Sequence, residues 1–72
     1  MDSNTSMGIQ RVVELAGSQG RLADTLGVTQ QAVSEWVRRG YAPANRVVEI
    51  EAQYGVPRTD LIDPRLRDLL VD

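Results

Sequence analysis

Residues 19–38 read QGRLADTLGVTQQAVSEWVR, and the spacing of apolar side chains in this stretch predicts two short helices. Leu22, Ala23 and Leu26 recur at one-turn intervals, so they share one face of a helix that Ser18 can cap and Gly27 can end. From Gln30 to Arg39 the apolar positions Ala32, Val33, Trp36 and Val37 form a second stripe, opened by Thr29 and closed by Gly40. Only Gly27, Val28 and Thr29 lie between the two helices. A reversal that tight needs a residue at positive φ, which glycine adopts without a steric penalty, so Gly27 is the residue the turn requires. Ala23 is small where the helices cross, Val28 fills the space under the turn, and Val33 and Trp36 dock the second helix onto the first. Two helices joined by a short glycine-containing turn, the second of them amphipathic, have the pattern of a helix-turn-helix.

The flanking sequence reads as further helix. Ile9, Val12, Val13 and Ala16 make an apolar stripe over about residues 7–16, which Gly17 can end. A fourth helix is expected to start near Pro43, bury Val47, Ile50 and Tyr54, and stop at Gly55. Val56 and Pro57 break it. Thr59–Ile62 has room for a turn or two at most, and Asp63–Pro64 can open a last helical piece carrying Leu66, Leu69 and Leu70. Those leucines serve equally well to close the monomer core or to meet a partner subunit, which makes residues 64–72 a candidate dimerisation tail, helix or strand. The expected fold is all-α, a compact four- to five-helix domain over residues 1–72 with the motif at 19–38. No internal repeat or linker interrupts it.

At 72 residues the chain is near the lower limit for a self-sufficient core, and with Trp36, Tyr41 and Tyr54 as its aromatics that core must be built from aliphatic side chains. The absence of cysteine and histidine removes disulfides, zinc sites of the usual kind and imidazole catalysis. No cofactor or metal is expected. Residues 1–6 lack the basic and apolar regions of a secretory signal, and no apolar run approaches bilayer length, so a cytoplasmic, soluble protein is expected. The net charge of −2 argues against a nucleic-acid partner, which demands clustered positive charge. Its distribution softens the objection: residues 1–45 balance to zero, and the excess acid lies in residues 46–72. All eight basic residues are arginine, whose planar fork suits phosphates and guanine edges but also solvated ion pairs.

The 19–38 segment resembles the DNA-binding core of phage Cro and cI-type repressors, the lambda-repressor-like domain. Residues 8–64 resemble more closely the Cro-like and YdaS-like regulators of prophages. The match runs through Leu22–Ala23, Leu26–Gly27–Val28, Val33 and Trp36, then Pro43–Ala44, the run Val48 to Glu51, and Asp60–Leu61. It departs at Ile62–Asp63–Pro64, where relatives often carry Arg-Pro. The resemblance implies a sequence-specific repressor that binds a double-stranded DNA operator as a homodimer, expected to be weak, with a toxin partner as a further implication.

Carried over by position, the resemblance assigns Thr29, Gln30, Gln31, Ser34 and Glu35 to the groove-facing side of the second helix. Their chemistry agrees: either glutamine can bond adenine through N6 and N7, and Ser34 suits base or backbone. Glu35 either accepts from cytosine N4 or pairs with Arg38 or Arg39. Gln19 is implied to contact a phosphate and to brace Gln30. Arg21, Arg38, Arg39 and Arg46, with Asn45 and the first N–H groups of the fourth helix, are the candidate phosphate contacts. Trp36 lies on the apolar stripe and reads as a core anchor rather than a base-stacking platform.

Two other function classes remain. A helical protein-interaction module, such as an antitoxin that masks a partner, is favoured by the acidic stretch Glu49 to Asp72. An enzyme is disfavoured, because no base is positioned to activate a nucleophile and the chain is short for enclosing a pocket.

Overall fold

Four α-helices follow one another along the chain in the computed structural model, which describes residues 8–66: α1 (Ile9–Ala16), α2 (Gln19–Leu26), α3 (Gln30–Arg39) and α4 (Ala44–Tyr54). Two single 3₁₀ turns, Arg58–Asp60 and Pro64–Leu66, follow them, and there is no strand among the described residues. The all-helical, compact architecture matches the expectation. The last piece is a 3₁₀ turn as far as Leu66, and Leu69 and Leu70 lie outside the described residues. Among the described residues no helix is long and apolar enough to cross a membrane.

The helix boundaries follow from local chemistry. Ser18 and Thr29 are extended residues whose hydroxyl oxygens accept from the N–H of Arg21 and of Ala32, each at 3.1 Å, satisfying donors that a helix start leaves open. Gly27 sits at φ 73°, ψ 31°, and its N–H turns back to the end of α2 while that of Val28 bonds the Ala23 carbonyl. This left-handed step lets α3 start with only three residues between it and α2.

The core is one cluster to which every helix contributes. Ile9 and Val12 enter from α1, Leu22, Ala23 and Leu26 from α2, Val33 and Trp36 from α3, Val47 and Ile50 from α4. Val28 packs under the α2–α3 turn as expected, partly buried against that cluster. The pattern did not single out Ala42, Val56, Leu61 or Ile62, which complete the core from non-helical positions. Leu61 is fully buried, and its carbonyl accepts the Ala42 N–H at 2.8 Å, so the segment after α4 is pinned beneath the α3–α4 connection. Tyr54 lies only partly buried against the cluster, and Val48 and Leu66 stand exposed.

Gly8 closes the N-terminal side. It is buried at φ 59°, ψ −129°, a conformation nearly restricted to glycine, and a Cβ built on it would overlap the carbonyl oxygen of Asp60. The start of α1 therefore presses directly against the 3₁₀ turn that carries Leu61 into the core.

Asp63 opens the Pro64–Leu66 3₁₀ turn, as the Asp63–Pro64 pattern anticipates. Its Oδ1 accepts from the Arg65 N–H at 2.9 Å, and the Arg65 guanidinium closes over the same carboxylate, with Nη2 to Oδ2 at 2.6 Å. These Arg65 bonds, side chain first and backbone second, hold the Asp63 carboxyl down at about 2 from an ordinary 3.8, and the Tyr41 hydroxyl adds a smaller effect. A carboxyl depressed on folding contributes stability above its unfolded pKa, and that contribution is lost as pH falls through the folded value. Thermal denaturation should thus show a steeper loss of stability between about pH 4 and pH 2 for the natural chain than for Asp63→Asn. Parallel profiles for the two proteins would remove Asp63 from the acid response.

Candidate functional site

The second helix of the central pair is two-sided. Val33, with no exposed surface, and Trp36, 5% exposed, lie in the core with Ala32 and Val37 packed beside them. The opposite side carries Gln30, Gln31, Ser34, Glu35 and Arg38, all exposed, with Thr29 exposed at the helix start. Each of the five residues assigned to base reading from the sequence, Thr29 to Glu35, is therefore on the solvent side of α3. All of these side chains are exposed, so burial does not dictate their type, and the face is free to be chosen for a surface task.

Within this face the side chains are not equivalent. The Thr29 hydroxyl oxygen is engaged as the helix cap. Of the options open to Glu35, the structure adopts the ion pair: Arg38 Nη2 donates to Glu35 Oε1 at 2.5 Å. The hydrogen bond from Arg38 is the main cause holding the Glu35 carboxyl below its ordinary range, and the same bond raises Arg38. Gln30 leans back over the first turn of α2, with its Oε1 at 3.5 Å from where a Cβ on Gly20 would stand. The polar partner of Gln19 is not Gln30 but Ser34, whose hydroxyl donates to Gln19 Oε1 at 2.5 Å. Gln19, Ser34 and Gln30 thus gather around the start of α2. Fifteen residues separate Gln19 from Ser34, and the family pattern pointed to Gln30, so only the folded arrangement reveals this pairing.

The arginines separate by what they are already doing. Arg46, half-buried, donates to the Leu26 carbonyl at the end of α2 at 3.4 Å and to Glu49 Oε1 at 3.1 Å, which ties α4 to the α2–α3 turn. Arg58 is bound to Glu51 at 2.9 Å and Arg65 to Asp63. Arg39 bonds the Tyr41 carbonyl at 3.4 Å and lies 4.7 Å over the Tyr41 ring, a cation–π contact that leaves its charge unneutralised. Among the described residues Arg11, Arg21 and Arg39 pair with no carboxylate. Arg21 is exposed, with the stem of its side chain across Gly17. Asn45 is exposed in the first turn of α4, a helix whose cap residue Pro43 offers no side-chain bond. Of the six candidate phosphate contacts, Arg21 and Arg39 pair with no carboxylate among the described residues, Asn45 is exposed, Gln19 is bonded by Ser34, Arg38 is paired with Glu35, and Arg46 ties α4 to the α2–α3 turn. Among the described residues no cluster of carboxylates or other ligands suits a metal ion.

Neither a curated protein nor a solved structure matches the chain. A family model described as "Bacterial toxin YdaS" matches residues 9–62, from the first residue of α1 to the end of the buried Leu61–Ile62 step. That span holds all four helices and every core residue, and the chain belongs to the YdaS family.

Proposed function

We propose that α2, the Gly27 turn and α3 form a lambda-repressor-like helix-turn-helix that reads DNA, and that the chain is a sequence-specific repressor acting as a dimer. The observation that carries this reading is the face of α3. Gln30, Gln31 and Ser34 form an exposed, uncharged, hydrogen-bonding strip directly opposite the buried Val33 and Trp36. Such a strip suits the major groove, where a glutamine amide can bond adenine N6 and N7 together. In this reading Gln30 and Gln31 read bases, and Arg21, Arg39, Asn45 and Gln19 hold phosphates. Arg38 reaches a phosphate by leaving Glu35, and Glu35 takes no part in reading cytosine while that ion pair lasts.

A single short helix reads too few base pairs for the affinity of about 10⁻⁸ M or tighter that repression needs, and the net charge of −2 adds little attraction. Two copies place their α3 helices in successive major grooves about 34 Å apart on a near-palindromic site, covering the promoter. Residues 64–72 are the segment we assign to that pairing. Gln30→Ala and Gln31→Ala should each relax preference at one or two positions per half-site, by about 1–3 kcal/mol, while binding to random DNA hardly changes. A base-by-base operator scan reads this directly, and wild-type discrimination in both variants would show that another face reads the sequence.

The family description favours a second reading, a partner-binding or toxic module that acts through protein contacts. The acidic residues after α4 suit it. Titration with duplex DNA at low and moderate salt separates the two, because only the first reading gives salt-dependent binding.

A further inference from the structure

Ser34 stands in the strip of α3 where a base reader would stand, yet its hydroxyl proton is already committed. It donates to Gln19 Oε1 across the α2–α3 pair. A serine hydroxyl has one proton, so towards any other group Ser34 can only accept. The effect on Gln19 is larger. With its amide oxygen engaged by Ser34, Gln19 keeps both N–H donors of its amide for another group. Gln19 is also the first residue of α2, next to the cap Ser18, where the first N–H groups of a helix have no intrahelical partner. A phosphate diester only accepts hydrogen bonds, and an amide with its oxygen anchored and both N–H donors available at a helix start complements it. We infer that Ser34 is a positioning residue that orients Gln19 for a DNA phosphate, and not a reader of a base. This rests on the DNA-binding reading above. Without the hydroxyl the Gln19 amide turns freely, and part of the time it presents its oxygen to the phosphate.

The test is a double-mutant cycle in the full chain on a duplex selected by the natural protein, with Ser34→Ala, Gln19→Ala, the double variant and Ser34→Thr. Ser34→Ala should weaken operator and random DNA alike, by about threefold to tenfold, with base preferences unchanged in the scan. Ser34→Thr, which keeps the hydroxyl, should recover most of that loss. In the Gln19→Ala background, Ser34→Ala should add less than about twofold, because its partner is already gone. Both residues lie at the surface, so melting curves of the variants should overlay and exclude unfolding as the cause. An undiminished Ser34→Ala effect in the absence of the Gln19 side chain, or relaxed preference at one base pair, would overturn the positioning role and leave DNA binding standing. A natural chain that binds no duplex would overturn both.

Discussion

Gly8→Ala should lower stability by about 3 kcal/mol or more, and with it the Tm by roughly 10–25 °C, although the change adds only one methyl group. Two penalties act together. Gly8 lies at φ 59°, ψ −129°, where an L side chain is strained, and the new Cβ would overlap the Asp60 carbonyl oxygen, a backbone atom fixed within a 3₁₀ turn. Neither side can yield cheaply, because the residue after that turn, Leu61, is fully buried and bonded through its carbonyl to Ala42. Relief requires α1 to lift, which exposes Ile9 and Val12. A single-core domain of this size has only about 3–5 kcal/mol in reserve. Circular dichroism melts of the two chains read the effect, and a Tm within a few degrees of the natural protein would contradict the close approach of Gly8 and Asp60.

Trp36→Ala should be as severe, at about 3–5 kcal/mol, for a different reason. The indole is 5% exposed and is the largest side chain that α3 places in the core cluster, so its removal leaves a cavity there. Most of the chain should be unfolded at 37 °C. Trp36→Phe keeps much of the volume and should fold with a smaller loss. Because Trp36 faces away from Gln30 and Gln31, the folded phenylalanine variant should keep the same base preferences at reduced apparent affinity. Urea denaturation followed by helicity, beside a binding scan, separates these effects. A Trp36→Ala chain that folded normally but lost base selectivity would place the indole in the groove instead of the core.

The central helices were legible in the sequence because their determinants are local. Leu22, Ala23, Leu26, Val33 and Trp36 repeat at helical spacing, and Ser18, Gly27 and Thr29 mark ends through bonds to residues only a few positions away. The exposed face of α3 followed from the same periodicity. What escaped the pattern depends on distance along the chain. Ala42, Val56, Leu61 and Ile62 are buried by tertiary contacts in segments with no repeat to read. Gly8 falls inside the stretch of about residues 7–16 expected as the first helix, but it stands just before α1, and nothing in the pattern announces Asp60 beside it. In the site, Arg46 reaches a carbonyl twenty residues away and becomes a brace, and Ser34 engages Gln19 fifteen residues away. Arginine composition alone does not tell which guanidinium is spent on a carboxylate; among the described residues Arg38, Arg46, Arg58 and Arg65 are, and Arg21 and Arg39 are not.

That division also bears on the charge objection to DNA binding. A net charge of −2 matters less than where uncommitted cations sit, and carboxylates such as Glu49 and Glu51 are engaged by arginines on the α4 side. The salt dependence of binding should accordingly be modest and should fall on Arg21→Ala or Arg39→Ala rather than on Arg58→Ala.

Selection of bound duplexes from a random pool by the full-length chain tests the central claim most directly. The predicted result is a near-palindromic consensus whose half-sites are centred about one helical turn apart, or a multiple of it, with preferences that Gln30→Ala or Gln31→Ala relaxes. A pool that shows no enrichment at low salt, with no duplex bound above background, would contradict the assignment of α3 as a recognition helix.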